Sequence, residues 1–446
     1  MAPSTDLKVV QDFLDAHPEV QVIITQWVDV CGVVRSRMTS RQSFLKVVSS
    51  GKGFNQSVID MLTTTTAALH PDIFAHFCDS RGRIVPDVST LRVAAHDASG
   101  IGNAAIVIGE TDLYDMDPRT NLRRLVSQAE ERHDIQFLVG FELEFCFLEK
   151  DSVAPLIAAG PALSGYGNAS IMCRSTVWPV LNEIVVALAE ADICLEQVIK
   201  EYGESQWEIA LPPLPPIQSV DIYVYATEVI RNIAYKHGVV ATFYPTPSVD
   251  DTSGQKSGQH IHVSATKGGD NGSDWNPDEL LAGMLSHLPG VVAIGLPQVD
   301  SYQRVGAGKI CTGGWVGWGD HHRDMPIRRI FKNHWEIRAI DGTSNPYAVV
   351  SAVIAAALDR KPLTIGNITK FNPSISDEER KDLGITKALP ETLEAAIDEL
   401  EADRVWAEAA LGKEYLRWFL TLKRAEMEAV TKLDTIQRRK LMITHF

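Results

Sequence analysis

Four short segments set polar, mostly ionisable side chains two residues apart. They are Glu142 and Glu144 in GFELEF, Gln206 and Glu208 in SQWEIA, His260 and His262 in GQHIHVS, and Glu336 and Arg338 in HWEIRAI. The residues between them are apolar or small, so each segment reads as a strand. Strand side chains alternate between faces, and residues i and i+2 point the same way. One face of each segment therefore belongs to a core and the other carries charge. Carboxylates are almost never buried without a partner. Several strands aiming glutamates and histidines into one space call for a cation, and the arginines beside them call for an anionic substrate. For any one segment alone, chance surface charge is the better explanation. For four together, an active site is.

Other elements must hold these strands in place. Residues 21–28 and 33–37 read as a hairpin turned by Asp29, Val30, Cys31 and Gly32, with Gly32 free to take positive φ. A further strand pair is expected near residues 104–110, after the turn-rich VPDVST. Residues 1–115 then form a small mixed domain and residues 116–446 a larger one. Pro118 opens a helix to His133, with Leu122, Leu125, Val126 and Ala129 at helical spacing. Residues 177–191 and 223–237 are expected as amphipathic helices, the second stopped by Gly238. Asn345 as N-cap and Pro346 at the first helical position start a helix that buries Val349, Val350, Val353 and Ile354. Residues 390–433 read as almost wholly helical, and the acidic stretch 394–403 as a solvated helix face. The loops 250–258 and 306–319 are rich in small, flexible residues and lie against the chemistry, so both are expected to move.

The bulk composition fits a soluble enzyme. The chain of 446 residues is long enough for two or more domains with a large core. Hydrophobic residues make up 45% and charged residues 22%, as in an ordinary globular protein. A formal net charge of −15 leaves no basic excess to neutralise phosphates, which argues against nucleic-acid binding. The six cysteines are scattered without CxxC spacing, as expected of reduced thiols in a cytoplasmic protein. The start of the chain does not read as a secretory signal, and no segment reaches membrane-span length.

In order along the chain, GFELEF, the E-x6-E of EYGESQWE, SGQHIHVS, SYQRV, HHRDMPIR and WEIRAIDGTSNPY resemble the signatures of the glutamine synthetase family. The similarity runs over nearly the whole chain and takes in VDVCGVVRSR and VPDVST. It is strongest to the bacterial-type and fungal members that include γ-glutamylpolyamine and γ-glutamylamide synthetases. The resemblance implies an α+β fold, with an N-terminal β-grasp domain and a catalytic domain whose antiparallel sheet forms a funnel-shaped site. It also implies a homo-oligomer of two stacked hexameric rings, with each site between two subunits. By the same resemblance, Glu144, Glu201 and Glu208 are ligands of a first metal, and Glu142, His260 and Glu336 of a second. An oxygen-rich set with one imidazole suits Mg²⁺ or Mn²⁺. Arg323 and Arg328 match the phosphate-binding arginines, and His262 and Ser264 lie at the ATP. Arg304 and Arg338 match the residues that hold glutamate, which makes Arg304 and Arg323 the implied catalytic arginines. On the residues alone, His262 reads equally as a satisfied core histidine. Trp207 and Trp335, on the opposite strand faces, read as core.

The departures from the family pattern concern the nitrogen donor. Members that use ammonia carry an Asp-Gly-Ser-Ser loop in the N-terminal domain, whereas this region reads FNQSVIDMLTTTTAALHP. They also carry a flap glutamate, in whose place counting from Tyr302 puts Ile310, and residues 305–319 contain no Glu or Asp. The family's Asn-Gly is Gln255-Lys256 here, and its Asn before the phosphate arginine is His322. The expectation is therefore an ATP-dependent ligase that joins the γ-carboxylate of glutamate to an amine. A catalytically weak nitrogen-sensing or scaffold protein is the second reading, and a true glutamine synthetase using ammonia the third. Trp315 and Trp318 in the flap either stack on a larger amine or pack the flap onto the body.

Overall fold

Two sheets organise the computed structural model, which describes residues 5–66, 70–77, 80–94, 103–113, 115–150, 175–247, 256–268, 275–306, 312–370 and 375–446. The first sheet contains β1 (Val22–Val28), β2 (Val34–Ser40), β3 (Phe54–Ser57), β4 (Arg81–Pro86), β5 (Arg92–Val93) and β6 (Ala104–Thr111). Its order is β2-β1-β6-β4-β3, with β5 also on β6. β1 and β2 form the expected hairpin, Val28 opposite Val34, and Gly32 turns it at φ 87°. Asp29 steadies the turn by accepting from the Val33 backbone N–H at 2.9 Å. β6 runs parallel to β1 and antiparallel to β4 and β5, rather than joining one new partner. That long-range parallel pairing leaves no local signature. Helices Thr5–Ala16 and Arg41–Ser50 cover one face, burying Val10, Leu14, Phe44 and Val48 on Ile23, Ala105 and Val107. Ile106 and Ile108 on the other face, and Trp27 near the end of β1, join the main core.

The second sheet contains β7 (Ile135–Glu149), β8 (Gln197–Lys200), β9 (Gln206–Ala210), β10 (Val239–Thr242), β11 (Gln259–Lys267), β12 (Trp318–Asp320), β13 (Ile327–Phe331) and β14 (His334–Ile337). Its order is β12-β13-β14-β11-β7-β9-β8, with β10 also on β7, and only β12 and β13 run parallel. Phe137, Val139, Phe141, Leu143, Phe145 and Phe147 alternate along β7 and all enter the core. Trp207 and Trp335 are fully buried with them. The even-numbered residues of β7 face the other way, toward the site.

Helix Pro118–His133 begins as its sequence indicates, with Asp117 capping the Thr120 N–H at 2.7 Å. Helix Pro346–Leu358 is capped by Asn345, which accepts from the Ala348 N–H. The expected helix at 177–191 spans Trp178–Glu190. The helix expected from Tyr223 instead starts at Pro216. Its first half is buried on all sides, from Val220 to Thr227, so the apolar–polar periodicity that marks a surface helix is missing there. The 390–433 region divides into Leu393–Ala402, Arg404–Leu411 and Lys413–Val430, interrupted at Asp403 and at Gly412 with φ 87°. Helices interleave with strands that pair mostly antiparallel, which makes the fold α+β. No described helix is long and apolar enough to cross a membrane. Of the cysteines, Cys31 and Cys146 are buried and Cys194 is exposed, and none of the three is in a disulfide. Cys78, Cys173, Cys311, Ile310 and most of the loop 250–258 lie outside the described residues.

Candidate active site

Strand register brings the four segments together. His260 pairs with Glu142, Glu144 with Glu208, and His262 with Glu336. On the last strand of this series Arg328 pairs with Glu336. Each pairing sets two side chains on the same face about 5 Å apart, so five neighbouring strands line one polar strip. His260 Nδ1 lies 2.8 Å from Glu142 Oε2 and 3.4 Å from Glu336 Oε1. His262 Nε2 lies 3.1 Å from Glu142 Oε1, and its Nδ1 2.9 Å from His334 Nε2. Glu144 accepts from Gln206 Nε2 at 2.9 Å and from the Gly258 N–H at 2.8 Å. Ser264 continues the strip beyond His262, half-buried and opposite His334.

The charges in the strip are not balanced evenly. At Glu142, burial would raise the carboxyl pKa, but hydrogen bonds from His260 and His262 hold it far below its usual range. Glu336 is likewise desolvated, yet Arg338 and His260 keep it down at about 2. Glu208 has no such neighbour. Burial, reinforced by Glu142, Glu144, Glu201 and Glu336, pushes it up to about 10. Burial and Glu144 raise Glu201 to about 7. Lys200 is close in sequence, but its ammonium donates to the carbonyls of Glu201 and Gly203.

This donor set fits divalent cations. Ligand atoms of Glu142, Glu208 and His260 lie within 4.8 Å of one another, as do those of Glu142, His262 and Glu336. His260 Nε2 is buried without a hydrogen-bond partner, 3.6 Å from Glu144 Oε1. An orphaned imidazole nitrogen among carboxylates that repel one another is a site short of a positive charge.

The arginines lie around this strip. Arg328 and Arg338 flank Glu336, Arg328 Nη1 at 2.8 Å from Oε2 and Arg338 bonded to Oε1. Arg304 is 1% exposed and donates to the Ile340 carbonyl at 2.6 Å. Its other guanidinium nitrogen presses on Gly258, where a Cβ would come within 2.3 Å of it and 3.1 Å of Glu144 Oε1. Any side chain there would have to displace the Arg304 guanidinium. Arg323 stands exposed in the turn before β13 and makes none of the cluster's hydrogen bonds among the described residues. Trp318 is buried under Arg329 and donates to the Ile365 carbonyl at 2.9 Å, while Trp315 lies under Arg380. Both tryptophans thus pack the flap against the body.

Two groups escaped sequence reasoning. Asp341 is fully buried, and burial raises its pKa while Ser301, Thr343 and Arg304 oppose the rise. Its carboxylate accepts from the Thr343 N–H at 2.9 Å and hydroxyl at 2.6 Å. Arg119 is 3% exposed and grips Asp221 through Nε at 2.8 Å and Nη2 at 2.7 Å. Asp341 had a visible signal, a lone acid following the apolar AI of WEIRAID. The Arg119 network had none, because its partners are distant in sequence.

Residues 115–440 match the catalytic domain of glutamine synthetase. The chain is 31% identical to Protein fluG of Emericella nidulans over 99% of its own length and 50% of the relative's, so it spans about half of that protein. It is 30% identical to a glutamine synthetase of Methanocaldococcus jannaschii, covering 78% of this chain and 81% of the relative. It is 26% identical to the gamma-glutamylpolyamine synthetase GlnA3 of Streptomyces coelicolor, covering 93% and 91%. Among solved structures, GmaS in complex with ADP superposes with a TM-score of 0.78 at 21% identity, covering 98% and 99% of the two chains. Plasmodium falciparum glutamine synthetase superposes with a TM-score of 0.76 at 17% identity, covering 97% and 98%. These two share the fold.

Proposed function

The chain belongs to the glutamine synthetase family, and from that premise we propose that it is an ATP-dependent carboxylate–amine ligase that converts glutamate and an organic amine into a γ-glutamyl amide. One observation carries the reading. A buried carboxylate nest short of positive charge, around Glu208, adjoins Arg304, Arg328 and Arg338 on one strip. Phosphoryl transfer to a carboxylate crowds anions together and needs this combination of cation sites and arginines.

In this reading Glu144, Glu201 and Glu208 hold one Mg²⁺ or Mn²⁺, and Glu142, His260 and Glu336 hold a second. Bound there, the ions screen charge on the transferred phosphoryl group. Arg304 and Arg338 bind the carboxylates of glutamate, since a planar guanidinium pairs with two oxygens and stays charged. Arg323 and Arg328 contact the phosphates of ATP, Arg323 from its exposed turn, while His262 and Ser264 lie at the nucleotide. The γ-carboxylate oxygen attacks the γ-phosphorus, and ADP leaves. The amine nitrogen then attacks the acyl carbon of the γ-glutamyl phosphate, loses a proton, and phosphate departs. Gln206 and the Gly258 N–H hold Glu144 while this occurs.

The sequence supports an organic amine over ammonia. Ammonium needs acidic groups to concentrate it and take its proton, and residues 305–319 hold none. We further read residues 1–115 as a β-grasp domain, supported by the six-stranded sheet with two helices on one face. The protein assembles as stacked hexameric rings in the cytoplasm. The scaffold alternative draws on Lys256, whose ammonium donates to the Gln303 carbonyl at 3.0 Å beside Arg304. Phosphate release decides between them. The ligase reading expects steady-state phosphate release to require both glutamate and an amine, and to vanish in Glu208→Ala. ATP and glutamate binding without turnover for any amine gives the scaffold reading the lead.

A further inference from the structure

A cavity of about 930 Å³ opens on the far side of β10, between the start of β2, the end of β7, helix Pro216–Lys236 and helix Thr435–His445. It lies within the range of about 300–1,000 Å³ typical of small-molecule sites. Arg35, Arg231 and Lys440 line it from three of these elements and Lys150 from just past the end of β7, while Glu228 is the one acidic residue among the described residues that line it. Among the described lining residues, four cations against one carboxylate reverse the charge locally in a chain whose net charge is −15.

The cations differ in what already satisfies them. Arg35 gives its Nε to the buried Asp29 at 2.8 Å, and Arg231 pairs with Glu228 at 2.9 Å. Each has further guanidinium N–H donors to offer. Lys150 sits over the ring of Tyr235 at 4.5 Å, and neither Lys150 nor Lys440 has a carboxylate partner among the described residues. The wall carrying Lys440 is fixed rather than frayed. Arg438 on the same helix makes a bidentate pair with Asp300, at 3.0 and 2.7 Å, and the Phe446 carbonyl accepts from the Phe243 N–H at 2.5 Å. Val34, Val240 and Ile443 supply apolar surface between the charges.

We propose that this cavity is a binding site for a small organic polyanion, a phosphorylated or polycarboxylate metabolite, distinct from the carboxylate strip. The cations converge on a concave space lined by aliphatic groups and by Tyr235, which suits an anion with a carbon body. A double-stranded nucleic acid could not enter it. The inference does not depend on the ligase reading, because the cavity shares no residue with that site.

The test uses citrate and inorganic pyrophosphate as separate probes, titrated calorimetrically into the full chain without divalent metal. Three proteins are compared: the wild type, the double variant Lys150→Glu/Lys440→Glu, and Arg328→Ala on the strip. Both substituted lysines are exposed, and unchanged circular dichroism with an unchanged melting temperature verifies the fold. Binding by the wild type and by Arg328→Ala, weakened about tenfold or more in the double variant, is the expected result. Citrate binding alone identifies a carboxylate ligand, and pyrophosphate binding alone a phosphorylated one. The proposal is overturned if neither probe binds at millimolar concentration. It is equally overturned if Arg328→Ala abolishes binding while the double variant retains it. A change in particle size by light scattering in the double variant would assign the surface to a second copy of this chain instead.

Discussion

Loading the strip with Mg²⁺ should expel protons, and the structure says how many. Glu208 is held at about 10 by burial and four neighbouring carboxylates, so at pH 7 it carries a proton. Glu201, at about 7, is half protonated at that pH. Ligation requires both to be ionised, so saturation at pH 7 releases about one and a half protons. The sign for stability follows from the same shift. A carboxyl whose folded pKa is raised holds more protons folded than unfolded. Metal-free stability therefore falls as pH rises from the unfolded value of 4.5 toward about 10. Glu208 alone contributes a slope of about 1.4 kcal/mol per pH unit over that window. Metal affinity moves the opposite way, rising about tenfold per pH unit while one proton is displaced. Isothermal titration with Mg²⁺ or Mn²⁺, repeated in buffers of different ionisation enthalpy, reads the proton count directly. In Glu208→Gln the count should drop to about half a proton, contributed by Glu201. A wild-type count indistinguishable from zero, or a count that Glu208→Gln leaves unchanged, refutes the charge-deficient nest.

Three further outcomes test the surrounding structure. Gly258→Ala places a methyl 2.3 Å from the Arg304 guanidinium. It should cost about 1–3 kcal/mol in urea unfolding and raise KM for glutamate more than it lowers kcat. Arg338→Ala removes one of the two guanidinium groups flanking Glu336 and should raise KM for glutamate about 10–100-fold, measured by steady-state kinetics. Glu426→Ala strips the 2.6 Å partner from Lys423, which is 1% exposed, and should destabilise the fold by about 3–5 kcal/mol in urea unfolding.

What the sequence made legible was what short-range periodicity and capping encode. The i, i+2 pairs identified Glu142, Glu144, Glu208, His260, His262 and Glu336 as one strip, because strand alternation fixes the face without knowledge of the partner strand. Asn345-Pro346 and Pro118 marked helix starts, because a cap and a proline act locally. The start at Pro216 was hidden because the helix is buried on all sides from Val220 to Thr227, which removes the apolar–polar period. Asp221 within it is tolerated only because Arg119 and the Tyr347 hydroxyl, at 2.6 Å, meet it from distant elements. The need for glycine at 258 was equally invisible, since it arises from the approach of Arg304 across the sheet. The resemblance implied ligand roles that spacing alone could not assign, and those roles remain proposals. It could not supply the uneven protonation of the two halves of the strip, which depends on which carboxylates meet a cation.

The central claim is a metal-dependent ligase with an organic amine as nitrogen donor. Its most direct test is competition for one activated intermediate. The protein is supplied with ATP, Mg²⁺ and glutamate together with ammonium and a panel of mono-, di- and polyamines, and products are identified by mass. The account predicts a γ-glutamyl amide of an organic amine as the dominant product, with one ADP and one phosphate formed per amide. Rapid formation of glutamine from ammonium, with no amine in the panel competing, would contradict it.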